Sequence, residues 1–404
     1  MKICEVCKSR KLKKVLDLGS HPLCDDLIKI NSKKKNKLYP IKIILCLNCL
    51  TAFNQKVIKK KILFPVNYHY RSRLTNDVLY GMKDLVNSCE NYFSLNKKIV
   101  LDIGCNDGSL LDLFKKKNCT TIGVEPTNAA RDIKKIHNKV YNSYFTKNIA
   151  IDIKKKFPII DIITFTNVFA HIEDIESLLK NLNILISPKT LVVIENHYLG
   201  SILKINQFDT FYHEHLRTYS LKSFIYVAKK IRCNINNFFF PKRYGGNIRV
   251  VLSKNNNLLM SKKINKVINF EESFINEFGS MKKNITRWKK NKKKLIKRLF
   301  LKYGKIPGKA FPGRAAIIMR LLNLDSDKIS KIYEKNSSPK IGYLVPGTKI
   351  PISPDDELFK RKDSYKVIIN FAWHISKEIK LYLLSNNVNA KIIDIIEKKD
   401  FKKI

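Results

Sequence analysis

The stretch that most constrains the fold is Lys97-Lys98-Ile99-Val100-Leu101-Asp102-Ile103-Gly104-Cys105-Asn106-Asp107-Gly108-Ser109-Leu110-Leu111. An apolar strand runs into a glycine turn, and Ser109 to Phe114 opens a helix. A second strand, Thr120-Thr121-Ile122-Gly123-Val124-Glu125, ends in an acid about 20 residues beyond the first glycine. Strand, turn, helix, strand and acid in that order make a βαβ unit, whose acid reaches ribose hydroxyls. A dinucleotide site needs G-x-G-x-x-G, in which the middle glycine lets backbone approach a pyrophosphate. Here that position is Asn106, and the pattern is D-x-G-x-x-x-G. S-adenosylmethionine carries a ribose and no pyrophosphate, so it tolerates the side chain. The loop therefore favours that ligand over a nicotinamide dinucleotide.

Further strands follow at the same spacing. Ile159-Ile160-Asp161-Ile162-Ile163-Thr164-Phe165 is a continuous apolar run suited to a buried parallel strand. A helix over roughly Asp174 to Leu185 leads to another, Leu191-Val192-Val193-Ile194-Glu195. This alternation argues a doubly wound α/β sheet. The 404 residues suggest two or three domains, and 44% hydrophobic residues give each a core, which excludes wholesale disorder. No apolar run reaches the roughly 18 residues of a membrane span. The start, Met1 to Cys7, does not read as a signal peptide, so a cytoplasmic protein is expected.

Lysine and arginine number 78 against 34 acids, a net charge of +44. Such a charge raises nucleic-acid binding. The lysines, however, are spread over the whole chain together with a surplus of Ile and Asn, which argues a compositional drift and against a nucleic-acid partner. Runs such as Lys289-Lys290-Asn291-Lys292-Lys293-Lys294 read as solvated faces. The excess charge still steers anionic substrates inward at low salt.

Two knuckle-like pairs, Cys4-x-x-Cys7 and Cys46-x-x-Cys49, lie in the first fifty residues. Two such pairs complete a tetrahedral Cys₄ zinc site, although the stretch between them exceeds the usual ribbon spacing of about 15–20 residues. No neighbouring His-Glu pair is present to activate water, so the zinc reads as structural. Cys89, Cys105, Cys119 and Cys233 sit singly among apolar residues and read as buried thiols. Cys24 reads as incidental.

Phe208-Asp209-Thr210-Phe211-Tyr212-His213-Glu214-His215-Leu216-Arg217-Thr218-Tyr219-Ser220 crowds titratable groups into a short span. His-Glu-His is not H-E-x-x-H, whose histidines share a helical face around zinc. A general-base cluster fits better, because removing a proton beside a carbonyl needs a base titrating near neutrality. His171, in Val168-Phe169-Ala170-His171-Ile172-Glu173, is a further candidate.

Taken together, these segments resemble the three-domain sugar-nucleotide C-methyltransferases of deoxysugar biosynthesis. The resemblance covers nearly all of the chain. Cys4, Cys7, Cys46 and Cys49 correspond to that family's zinc ligands, and Tyr68-His69-Tyr70-Arg71-Ser72 resembles its Y-x-Y-x-S segment. Asp102-Ile103-Gly104-Cys105-Asn106-Asp107-Gly108 and Gly123-Val124-Glu125-Pro126 resemble its cofactor loop and ribose-binding acid. Asn167-Val168-Phe169-Ala170-His171 is similar to the segment below the methyl donor. Tyr212-His213-Glu214-His215 is similar to the YHEH signature. Tyr244-Gly245-Gly246-Asn247-Ile248-Arg249 resembles a GG-x-x-R strand entry, and Gly342 to Ile352 the C-terminal signature. Two positions depart: Phe311-Pro312-Gly313-Arg314-Ala315-Ala316 stands where the family often has G-A-x-x-K-G, and Tyr244 where a histidine is common.

The resemblance implies an α/β fold with a small zinc module at 1–62. A class I (Rossmann-like) S-adenosylmethionine methyltransferase domain spans 63–290, and a C-terminal Rossmann-like substrate domain 291–404. It implies C-methylation of a nucleotide-linked 4-keto sugar through an enolate. His215 is the expected base, supported by Glu214 and Tyr212, with His171 and Tyr70 near the reacting groups. Asp102, Gly104, Asn106, Gly108, Glu125, Pro126 and Asn167 are the expected cofactor contacts. The expected assembly is a monomer or weak dimer. O- or N-methylation of another sugar-type acceptor, and a basic zinc-containing nucleic-acid binder, are the alternatives.

Overall fold

The computed structural model describes residues 3–64, 70–74, 76–133, 135–255 and 260–401. The chain forms two compact units that interleave in sequence. One comprises Met1–Lys14, Ile44–Ile202 and Glu214–Ile275, the other Val15–Ile43, Leu203–His213 and Asn276–Ile404.

In chain order the first strands are β1 (Leu12–His21), β2 (Ile28–Lys29), β3 (Tyr39–Cys46) and β4 (Ala52–Asn54). Next come β5 (Ile99–Ile103), β6 (Thr120–Val124), β7 (Lys139–Tyr141), β8 (Ile162–Thr166) and β9 (Leu191–His197). Then follow β10 (Arg217–Thr218), β11 (Asn234–Phe239) and β12 (Asn247–Ser253). The remaining strands are β13 (Ile306–Lys309), β14 (Ile329–Glu334), β15 (Tyr343–Leu344), β16 (Ile352–Pro354), β17 (Val367–Asn370) and β18 (Lys391–Asp394).

The first unit is built on a seven-stranded sheet in the order β11-β12-β9-β8-β5-β6-β7. β5, β6, β7, β8 and β9 are parallel, and β12 is antiparallel to both β9 and β11. The chain enters at β5, builds outward to β7, then returns to β8 on the other side. That reversal opens a crevice beyond the carboxyl ends of β5 and β8, where doubly wound sheets bind ligands. Val100, Ile162 and Val193 are fully or almost fully buried because helices cover the sheet; Val78, Met82, Leu85 and Val86 of the helix Asn76–Glu90 pack on one face. Within the same unit β4 pairs with β10 in antiparallel fashion.

The second unit carries a five-stranded parallel sheet in the order β16-β14-β13-β17-β18, so its order reverses between β13 and β17. β2 pairs with β15. Phe371 belongs to the core. Trp373 does not: it is only half-buried, and its indole N–H donates to Asp209 Oδ2 at 3.0 Å. A lysine-rich helix spans Phe274–Tyr303. One residue of its lysine run departs from a solvated face. Lys292 is buried, with Glu397 and Asp400 each 3.0 Å from its ammonium, because the helix packs Trp288 inward on the same side.

Candidate active site and metal centre

Each cysteine pair closes a tight knuckle. The Cys4 carbonyl accepts from Lys8 N–H and the Cys46 carbonyl from Leu50 N–H, and Lys8 and Leu50 both take left-handed φ, 62° and 57°. The four sulfurs lie within 4.8 Å of one another, with Cys4–Cys49 at 3.6 Å and Cys7–Cys46 at 3.5 Å. A tetrahedron with Zn–S of about 2.3 Å has edges of ~3.8 Å. The thiolates therefore fit one structural zinc ion, and four protein ligands leave no coordination position for a substrate. The knuckles are tied to the YHEH region. Ser220 Oγ donates to the Cys49 carbonyl at 2.9 Å, and β4 pairs with β10 in the register Phe53–Arg217 and Ala52–Thr218. The buried Arg217 guanidinium pairs with Glu5 and donates to the carbonyls of Ile172 and Glu173.

The loop after β5 begins at Gly104, φ 77°, where a Cβ would lie 2.5 Å from Val168 of the loop after β8. Only glycine lets these two loops approach across the crevice. Gly108, also at positive φ, caps the helix Ser109–Lys115. Asp102 is buried at the strand end and accepts from Thr164 Oγ1 at 2.7 Å. Burial pushes its carboxyl up to about 7, against the hydrogen bond from Thr164 and with help from the nearby Glu125 charge. Glu125, at the end of β6, is buried at the mouth of the loop. It accepts the Asn106 N–H at 3.0 Å, the Thr127 N–H at 2.9 Å and the Thr127 hydroxyl at 2.7 Å. A carboxylate offers about four acceptor positions. Pro126 follows it and is partly buried.

Asn106 does more than tolerate the position. Its Oδ1 accepts the Ser72 N–H at 2.9 Å, and its Nδ2 donates to the Tyr70 carbonyl at 3.2 Å. Asp107 accepts the Arg73 N–H, also at 2.9 Å. Arg71 and Arg73 both pair with Asp132, holding its carboxyl below the usual range. The segment 70–74 is thus strapped to the glycine loop. Tyr70 is 42% exposed on that strap. Tyr68 and His69 lie outside the described residues.

Asn167, after β8, takes a left-handed φ of 55°, and its Oδ1 accepts from Asn247 Nδ2 at 3.3 Å. His171 Nδ1 lies 2.7 Å from the Glu214 carbonyl, and burial lowers its pKa. Its ring is 5.0 Å from that of His215, which is buried and whose carbonyl accepts from Asn54 Nδ2 at 3.0 Å. Glu214 is buried beside it in sequence. Tyr212 and His213 belong to the segment Leu203–His213 of the second unit, where His213 Nε2 contacts the Tyr39 carbonyl at 3.0 Å.

Sequence reasoning missed His197. It ends β9, and its ring also stands 5.0 Å from His215, making a cluster of three imidazoles. Its place at the carboxyl end of a buried strand was the available signal. Missed too was the charge network behind the site. Glu195 is fully buried, accepting from Arg249 Nε at 2.7 Å and Asn247 at 3.0 Å, and Arg243 approaches it at 3.3 Å. Arg249 continues to Asp84 at 2.8 Å.

Three family models match the sequence. A zinc binding domain model matches residues 4–64, a methyltransferase domain model 71–231, and a C-methyltransferase C-terminal domain model 242–386. The chain is 24% identical over 388 residues to the C-methyltransferase NovU of Streptomyces niveus, covering 93% of this chain and 90% of that one. Among solved structures it is similar to magnesium protoporphyrin IX methyltransferase (ChlM) from Synechocystis PCC 6803. That match has 10% identity, 46% of this chain, 85% of that one and a TM-score of 0.35. An S-adenosylmethionine-dependent methyltransferase from Anabaena variabilis matches at 14% identity, 43% of this chain, 84% of that one and a TM-score of 0.35.

Proposed function

Because the chain is a three-domain S-adenosylmethionine-dependent C-methyltransferase with a zinc-binding N-terminal module, we propose that its acceptor is a nucleotide-linked 4-keto sugar, methylated on a carbon beside the ketone. S-adenosylmethionine, when bound, supplies an electrophilic methyl carbon. His215 removes the proton from the carbon beside the ketone, and the electron pair of that C–H bond becomes an enolate. The enolate carbon would then form the new C–C bond to that methyl as the methyl–sulfur bond breaks, sulfur keeping the electron pair and leaving as neutral S-adenosylhomocysteine. The proton stays on the imidazole until solvent takes it. His171 and His197 border the base, and a neutral His171, favoured by its burial, leaves His215 free to accept the proton. Glu214 and Tyr212 orient the base or relay its proton, and Tyr70 borders the acceptor. On the donor side, Glu125 takes the ribose hydroxyls, while Asp102, Gly104, Asn106, Gly108, Pro126 and Asn167 line the remainder.

The observation that carries the reading is the imidazole cluster around His215, because general-base work on a carbon acid needs a group titrating near neutrality. Segments 1–62, 63–290 and 291–404 take the metal, donor and acceptor roles in turn. Nine cysteines, none in a disulfide, fit a reducing compartment such as the cytoplasm, and a monomer or weak dimer suffices for the reaction. The test is incubation with a panel of nucleotide-linked 4-keto sugars and methyl donor, read by mass and by carbon NMR. A new C–CH₃ group supports the reading. A methyl found on oxygen or nitrogen, or no transfer to any sugar nucleotide, overturns it.

A further inference from the structure

His215 is poorly placed to shed a proton by itself. It is 7% exposed, so little of its surface meets water, and Glu214 beside it in sequence is buried as well. Two other imidazoles touch it, His171 and His197, each with its ring centre 5.0 Å from that of His215. At that separation nitrogens on facing edges come within hydrogen-bond reach. A ring that hands a proton onward takes it on one nitrogen and gives one up from the other. His171 is barred from this. Its Nδ1 is held 2.7 Å from the Glu214 carbonyl, an acceptor that cannot carry a proton away. A proton received at its Nε2 can only go back. In His197 the two edges of the ring differ: Nδ1 is buried, while the residue as a whole is partly exposed.

The chain holds that ring on a rigid support. His197 is the last residue of β9 and pairs in register with Asn247 of β12. Just beyond it the Tyr198 N–H bonds the Gly246 carbonyl at 3.2 Å, and the Leu199 N–H bonds the Tyr219 carbonyl at 3.0 Å. The Tyr198 hydroxyl donates to the buried Glu271 at 2.9 Å. The same carboxylate accepts the N–H groups of Leu221 and Lys222, at 2.6 Å and 3.0 Å. The end of β9 is thereby tied to the segment that follows His215, which sets one imidazole against the other. Strand alternation puts Leu191, Val193, Glu195 and His197 on one face. The first three are buried, and His197 is where that face reaches solvent. Packing alone does not call for a titratable ring at that point, whereas a proton path does.

We infer that His197 is the exit for the proton that His215 removes from the acceptor carbon. The N–H bond formed on His215 breaks with its electron pair left on that ring, and a nitrogen lone pair of His197 takes the proton. The other nitrogen of His197 releases one to water. Nothing is oxidised or reduced, and the base is neutral again for the next acceptor. His197 is thus a positioning and relay residue that acts through His215. The assignment rests on the general-base reading proposed above. It goes further by naming the residue that resets the base, which leaves Glu214 to orient it.

The experiment is rapid-quench kinetics on the full-length, zinc-loaded protein with saturating S-adenosylmethionine and dTDP-, UDP-, GDP- or CDP-linked 4-keto-6-deoxyhexose. The C-methyl product of the first turnover is counted apart from that of later ones. A neutral base needs no exit until it has taken a proton. His197→Gln should therefore complete the first turnover within about twofold of the wild type, then run later turnovers slower by about tenfold or more. Imidazole added to His197→Ala should restore the later turnovers, because a free ring in the emptied space carries the proton. S-adenosylmethionine affinity and zinc content should match the wild type in both variants. Later turnovers as fast as the wild type's in both variants overturn the inference. An equal loss in first and later turnovers that imidazole does not repair also overturns it, since that marks a ring that only shapes the pocket. A wild type that methylates none of the four acceptors at carbon overturns the general-base reading itself, and the inference falls with it.

Discussion

The Nδ1 of His171 lies 2.7 Å from the carbonyl oxygen of Glu214, so the imidazole donates there and its Nε2 is left as an acceptor. That one bond fixes both a tautomer and the backbone immediately before His215. His171 and His197 each set their ring against that of His215, and burial favours the neutral form of His171.

The base assignment is testable without following methyl transfer. Wild-type enzyme given a 4-keto sugar nucleotide in D₂O should exchange the hydrogen beside the ketone, once the donor or an analogue is bound. A positioned base is worth about 10²–10⁴-fold, so His215→Ala should lose exchange and methylation together by that order. His171→Ala should lose less. Normal exchange by His215→Ala would remove it from the role.

On the donor side, Glu125→Ala deletes a carboxylate whose bonds to hydroxyls are worth roughly 1.5–3 kcal/mol each. S-adenosylmethionine affinity should fall at least about tenfold, with zinc content unchanged. Unaltered affinity in a titration would mean that the ribose lies elsewhere.

For the metal, elemental analysis of the purified protein should find about one zinc per chain. Cys46→Ser should lose the ion and loosen the first fifty residues, seen as faster amide exchange in β3 and β4. A chain that folds and methylates fully after complete zinc removal contradicts the structural role.

The Glu195–Arg249 pair is fully buried, so breaking it leaves the carboxylate with only the longer contact to Arg243 and the Asn247 amide. Arg249→Met should cost about 3–5 kcal/mol in denaturant unfolding. Pairing that change with Glu195→Leu should recover much of the loss. If the double variant is no more stable than the single one, the pair is not the source.

His21 supplies a pH dependence. Burial first, then the neighbouring charges of His213, Arg320 and Lys289, lower its pKa to about 4. Unfolded, it titrates near the ordinary 6.5, so between those values the unfolded chain binds the extra proton. Its contribution is fully present above about pH 6.5 and is lost as pH falls toward 4, on the order of 3 kcal/mol in total. A plot of Tm against pH from 7 to 4.5 should be flatter for His21→Gln than for the wild type.

Strands β5, β6, β8 and β9, the turn between Gly104 and Gly108, and the acid at Glu125 were legible because each is written in contiguous residues with a local period. The cysteine pairs were legible for the same reason. What could not be read locally was set by partners far along the chain. Lys292 looks like its exposed neighbours until Glu397 and Asp400 fold against it. His197 looks like a strand terminus until His215 arrives beside it. Asn106 looked like a tolerated substitution, and its amide in fact holds the strap at Tyr70 and Ser72. The assignment of Val15–Ile43 to the second compact unit likewise depends on pairings such as that of β2 with β15.

The pairing of β4 with β10 has a consequence for how such a chain can change over generations. The cysteine segment acts as a splint on the strand that carries the residues just after His215, through Phe53 against Arg217 and Ser220 against the Cys49 carbonyl. It is therefore not a detachable cassette. A shuffled copy taken from another chain would have to bring its own counterpart of residues 214–220, because a splint cut for one limb does not set another. The two stretches are inherited as one piece although more than 150 residues separate them.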